Sequence, residues 1–130
     1  MKFVNKTEYQ SDDLLKIFQK CISLTKYKGT RKIIVTYNYS LFGKPICFIG
    51  GYARCGRKII VIKLPECEQW NMNTTLCCMD YKSQVVAMIF LHEIGHLMGV
   101  KHNDNCTIEQ LYLFKIKEVF TNEKYILTKT

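Results

Sequence analysis

Apolar positions along this chain switch between a helical and a strand-like period, and the switches lay out its elements. Leu14, Ile17, Phe18, Cys21 and Leu24 follow the helical period behind Ser11 or Asp12, either of which can cap the first turn. Gly29 is the expected stop. Lys32 to Tyr39 is rich in β-branched and aromatic residues, with apolar side chains on both faces over its first half, which predicts a central strand covered by a helix. Pro45 opens a second strand, Ile46 to Ala53. The Gly50-Gly51 pair within it predicts either a bulge or a close approach of another backbone, and such features belong at a sheet edge. A tight turn over Arg54 to Gly56 leads into Lys58 to Leu64, whose aliphatic run makes it the buried partner of a hairpin, and Pro65 ends it.

Glu66 to Met79 has no period and reads as a loop, with Trp70 in it as a packing residue. Asp80 or Ser83 then starts a long helix with Val85, Met88, Ile89, His92 and His96 on one stripe. Met88 and Met98 read as core fillers, and Gly95 as a place where close packing excludes a side chain. Further on, Thr107 and Gln110 form a capping box for a final amphipathic helix with Ile108, Leu111, Tyr112, Ile116, Val119 and Phe120 on its apolar side. No repeat, linker or low-complexity tract interrupts the pattern. It predicts one α+β domain over residues 1–130: a small mixed, twisted sheet, the long helix at about 80–99 and a smaller segment at 100–130.

At 48% hydrophobic and 23% charged residues, the composition is that of a globular protein and excludes a disordered or fibrous one. The longest apolar run, Val85 to Leu91, is too short to cross a bilayer, so no membrane span is expected. No apolar stretch follows the lysines of MKFVNKTEYQ, so no secretory signal is expected, and an intracellular setting, such as a viral or host cytoplasm, is favoured. The net charge of +8 would suit nucleic acid, but the lysines form no basic block, which favours a solvated basic surface.

All three histidines fall in one stretch, HEIGHLMGVKH, from His92 to His102, with the spacing H-E-x-x-H-x-x-G-x-x-H. On a helix, His92 and His96 lie one turn apart on one face and can reach one metal ion, while Glu93 turns to the side where a bound water would sit. Gly99 is expected to end the helix in the left-handed conformation, so that His102 returns as a third ligand. Three imidazoles leave a fourth tetrahedral position open, as in catalytic zinc sites and unlike structural ones. Chance supplies these five fixed residues in roughly one chain of this length in 10^5, so the reading as ordinary helix histidines is set aside. One zinc ion per chain is expected on His92, His96 and His102, with Glu93 as general base and acid toward a zinc-bound water.

Seven cysteines, at 21, 47, 55, 67, 77, 78 and 106, leave at least one thiol unpaired within a chain. Cys67, Cys77, Cys78 and Cys106 flank the motif and could form disulfides, which keeps an oxidising compartment open, or hold a second zinc, although no C-x-x-C pair is present. The plainer alternative is that several are small buried side chains.

Through HEIGHLMGVKH and the order helix, strands, hairpin, long helix, final helix, the chain resembles the metzincin clan of zinc peptidases. The motif is specific, and the rest of the resemblance is one of element order. YARCGRKIIVIKLPE, from Tyr52 to Glu66, is similar to the corresponding strand pair of archaemetzincins. The resemblance implies a zincin-like fold with an edge strand lining the cleft, an active-site helix and a C-terminal helix. It implies hydrolysis of a peptide or protein substrate that Phe48, Ile49, Gly50, Gly51, Tyr52 and Ala53 would bind as an added strand. The clan places a methionine in a tight turn beneath the zinc, whereas this chain has none after Met98. On the archaemetzincin pattern, Cys106-Thr107-Ile108 would set Ile108 there, so Ile108, which also reads as the start of the final helix, or a neighbour such as Leu111 is expected as an apolar floor. Asn103 matches no subfamily marker and the further cysteines of the archaemetzincin zinc cluster are missing, so the chain reads as a minimal, divergent member.

Two other functions draw on the same residues. Bacterial RNA-maturation metalloproteins with H-G-x-L-H-L-x-G-x-D-H hold three histidines at this spacing, and a basic surface suits RNA, so a metal-dependent ribonuclease is one alternative. That motif has Gly where this chain has Glu93. The other is a non-catalytic zinc-binding protein that keeps the site without turnover, which the small size and the missing methionine would suit.

Overall fold

The two most aliphatic strands pair at the centre of the sheet. In the computed structural model, which describes residues 1–44, 46, 50–66, 81–101 and 126–130 (Tyr81 by its backbone only), β2 (Lys32–Tyr37) and β4 (Ile59–Leu64) run parallel. β1 (Lys2–Asn5) adds parallel to β2, and β3 (Gly50–Arg54) adds antiparallel to β4, giving a four-stranded mixed sheet in the order β1-β2-β4-β3. The predicted α+β content, the central β2 and the edge hairpin partner are all present. β1 has no counterpart among the predicted elements, because Phe3 and Val4 alone are too short an apolar run to show a period.

Successive strand residues point to opposite faces, so the register divides the sheet into two surfaces. The rows Phe3-Ile33-Ile60-Ala53 and Asn5-Val35-Ile62-Gly51 belong to one of them. On that surface Ile33, Val35, Ile60, Ile62 and Leu64 form one buried cluster with Leu14, Ile17, Phe18 and Cys21 of α1 (Ser11–Thr25) and Val85, Val86, Phe90, Leu91 and Ile94 of α2 (Tyr81–Leu97). Phe18 meets Phe90 edge to face at 5.1 Å between ring centroids, which joins the two helices. Cys21 is one of the buried small side chains. Its thiol donates to Ala87 O at 3.6 Å, and burial pushes its pKa up, so it stays a protonated packing group.

Several boundaries differ from the sequence pattern. The N-cap of α1 is Gln10, with no side-chain cap; Ser11 and Asp12 lie inside the helix, and Asp12 and Asp13 offset the N-terminal dipole from the first turn. Asp13 Oδ2 also accepts from Thr128 N at 3.0 Å and Thr128 Oγ1 at 2.6 Å, tying residues 126–130 to this helix end. The helix stops before Gly29, at Lys26, which takes the left-handed conformation (φ 59°) and donates to Ile22 O. β2 ends at Tyr37, two residues earlier than expected. The hairpin turn covers Cys55 to Lys58 and closes through Lys58 at φ 57°.

β3 begins at Gly50 and carries no bulge, since Gly50 to Arg54 pair one-to-one with Lys63 to Ile59. The glycine pair answers to the other expectation. A Cβ at Gly51 would lie 2.6 Å from Val61 O and 3.4 Å from Ile89 Cγ2, so backbone and helix both come too close for a side chain. Ile46 lies outside the strand, and Pro45, Cys47, Phe48 and Ile49 lie outside the described residues. So do the predicted loop from Cys67 to Asp80, with Trp70, and the predicted final helix.

α2 is buried almost all round. Its deepest residues include Val86, Phe90, Leu91, Ile94 and Leu97, while the expected stripe of Met88, Ile89, His92 and His96 is its half-buried side. Met98, expected in the core, is 44% exposed because the helix ends just before it. No helix among the described residues is long and apolar enough to cross a membrane.

Gly50 and Gly51 give a paired prediction. Gly51→Ala forces a methyl against the Val61 carbonyl and should lower stability by about 1–3 kcal/mol. At Gly50 nothing lies within 4 Å of an added Cβ among the described residues, so Gly50→Ala should stay within about 0.5 kcal/mol. Urea denaturation of the two variants measures the difference.

Candidate metal centre

One turn of helix separates His92 from His96, and α2 sets their rings edge to face, 4.6 Å between centroids and 84° between planes. Their Nε2 atoms converge to 3.0 Å. Two nitrogens on one tetrahedral zinc are roughly 3.3 Å apart, from Zn–N lengths of about 2.0–2.1 Å, so the rings need to part by only a few tenths of an ångström to share an ion. Ligand atoms of His92, Glu93 and His96 all lie within 4.8 Å of one another. Both histidines are half-buried, and Glu93, between them in sequence, is 3% exposed. This His-Glu-His group is compatible with a metal ion.

The end of α2 fixes the state of one ring. Gly99 takes φ +96°, as the motif predicted, and two reversed hydrogen bonds close the helix: Val100 N donates to Gly95 O at 2.9 Å and Gly99 N to His96 O at 3.0 Å. This is a Schellman cap with glycine at its left-handed position. It places Val100 O 2.7 Å from His96 Nδ1. A carbonyl only accepts, so Nδ1 carries a proton, and in the neutral ring Nε2 keeps the lone pair that a metal requires. Facing His92 Nε2, that lone pair is satisfied either by one N–H···N bond or by a cation between the rings.

The hairpin joins the site at the same point. Cys55 Sγ donates to His96 O at 3.3 Å. A cavity of about 410 Å³ opens beside His96, lined by Ala53, Cys55, Leu97, Gly99, Val100 and Lys101. Of the expected substrate strand, Gly50, Gly51, Tyr52 and Ala53 stand on the edge strand beside α2, with Gly51 against Ile89 and Ala53 in the cavity wall. Phe48, Ile49, His102 and Ile108 lie outside the described residues, as do Cys67, Cys77, Cys78 and Cys106. Sequence reading missed the Val100 carbonyl and Cys55. The first is a backbone group that no residue type announces, although a glycine three positions after a ligand histidine marks where such a cap would form. The second touches the helix only through tertiary packing. No family model, curated protein or solved structure matches the chain.

Replacing the cap glycine tests its link to the site. Gly99→Ala should retain the metal but bind it about 10-fold more weakly, the usual cost of disturbing a group that orients a ligand histidine. His96→Ala should lose stoichiometric metal altogether. Elemental analysis after dialysis against graded chelator distinguishes the two, and equal retention in all three proteins would remove Val100 and His96 from the account.

Proposed function

We propose that this protein is a zinc-dependent peptidase of the metzincin kind, with a zincin-like fold. The observation that carries the reading is the convergence of His92 and His96 Nε2 at 3.0 Å with a buried Glu93 on the same helical turn. Imidazole pairs on a helix favour borderline ions, of which zinc is the usual occupant of a tetrahedral site. His92, His96 and His102 would hold it. Bound there, zinc supplies a Lewis acid that polarises a carbonyl and acidifies a water.

The remaining chemistry falls to the chain's own groups. The Glu93 carboxylate takes a proton from the attacking water as its oxygen bonds to the carbonyl carbon. It then delivers that proton to the amine nitrogen as the C–N bond breaks. The Val100 carbonyl holds His96 in its metal-binding tautomer throughout. Among the described residues β3 stands at the edge of the sheet, and on this reading residues from Phe48 to Ala53 would present main-chain donors and acceptors to an added substrate strand. Glu93 beside the histidines favours peptide hydrolysis over the ribonuclease alternative, whose motif has glycine at that place.

General acid/base groups contribute about 10^2- to 10^4-fold. Glu93→Gln should therefore lose peptide cleavage by a factor in that range while keeping its zinc, measured on a mixed peptide library alongside structured RNA with chelator controls. Zinc-dependent cutting of RNA without any peptide product, undiminished in Glu93→Gln, would overturn the reading.

A further inference from the structure

We propose that the sheet surface turned away from α1 and α2 docks an acidic, amphipathic segment of a partner polypeptide. The register builds this surface in three rows: Lys2-Lys32-Ile59-Arg54, then Val4-Ile34-Val61-Tyr52, then Thr36-Lys63-Gly50. Strand spacing spreads them over roughly 14 Å. Four cations stand on these rows with no Asp or Glu among them. Lys2, Lys32, Arg54 and Lys63 have no carboxylate partner among the described residues. Such a field of one sign attracts carboxylates and repels other cations.

The centre of the surface is apolar. Val4, Ile34 and Ile59 are half-buried and Val61 is 5% exposed, while none of these four joins the core cluster on the helix side. Aliphatic groups ringed by ammonium and guanidinium groups match a segment that carries both apolar and acidic side chains. The arrangement is less suited to nucleic acid. Tyr52, 41% exposed, is the one aromatic side chain on the three rows. The Arg54 guanidinium lies 5.9 Å and the Lys63 ammonium 5.5 Å from its ring centre. The ring is thus engaged by cations and does not stand open as a platform for bases. None of these residues belongs to the His92-Glu93-His96 group, so the inference does not rest on the metal site, although Gly50 and Tyr52 also lie on β3, the strand offered to substrate.

The test is fluorescence anisotropy with three labelled probes at low and moderate salt: an amphipathic Glu/Leu peptide, the same peptide with Gln for Glu, and a single-stranded oligouridylate. The Glu peptide should bind, weaken as salt rises, and bind at least about 10-fold better than the Gln peptide. Lys32→Gln/Lys63→Gln should lower its affinity about 10-fold, the sum expected of two surface ion pairs with good geometry. Lys28→Gln/Lys44→Gln, with the same change in net charge at exposed sites off the sheet, should not. Arg54→Gln, at the exposed edge, is the second variant should the first fail to fold. Zinc content should stay at wild-type level in all of them, so failure of this proposal leaves the metal site untouched. Equal losses in the two double variants, equal binding of Glu and Gln peptides, absence of binding, or tighter oligouridylate binding lost in Lys32→Gln/Lys63→Gln would each overturn it.

Discussion

The chain reversal at Gly99 is the constraint on which both the helix end and the site depend. A left-handed residue there satisfies the last carbonyls of α2, those of Gly95 and His96, with the N–H groups of Val100 and Gly99. The same turn brings Val100 O onto His96 Nδ1, which selects the neutral tautomer with its lone pair on Nε2. His96 O accepts a second bond, from Cys55 Sγ, so the β3-β4 turn is tied to the same residue whose ring faces His92. Helix end, ring tautomer and hairpin position are therefore one mechanical unit.

What holds that unit in place is the burial of α2 around nearly its whole circumference. Phe90 packs edge to face on Phe18, and Ile94 and Leu97 belong to the cluster that contains β2 and β4. On the side facing β3, Gly51 removes the side chain that would keep strand and helix apart. The same packing buries Glu93 to 3% exposure beside the two imidazoles, in a His-Glu-His group compatible with a metal ion. The sheet thus has two different surfaces: one carries the helices and steadies the site, and the other carries the lysine, arginine and aliphatic rows.

The parts legible in the sequence are those set by local chemistry. Val35, Ile60 and Ile62 announce their strands by β-branching, Leu14 to Leu24 their helix by period, and Gly99 its cap by the need for positive φ. The motif placed His92, Glu93 and His96 together because a helix fixes that spacing regardless of context. What escaped was set by tertiary partners. β1 exists because β2 offers an edge, and the stop at Lys26 precedes the glycine that seemed to mark it. The Met88-His92-His96 stripe proved to be the half-buried side because α2 is enclosed on most sides and its apolar residues no longer distinguish a face. The basic rows were equally hidden: the lysines are dispersed in sequence and meet only through the register.

X-ray absorption at the zinc edge, on protein loaded with one equivalent, reads the ligands of the metal itself. A site on His92 and His96 gives a first shell of nitrogen and oxygen at about 2.0–2.1 Å with outer-shell scattering from imidazole rings, both lost in His92→Ala/His96→Ala. A first shell dominated by sulfur at about 2.3 Å would place the metal on cysteines and contradict it.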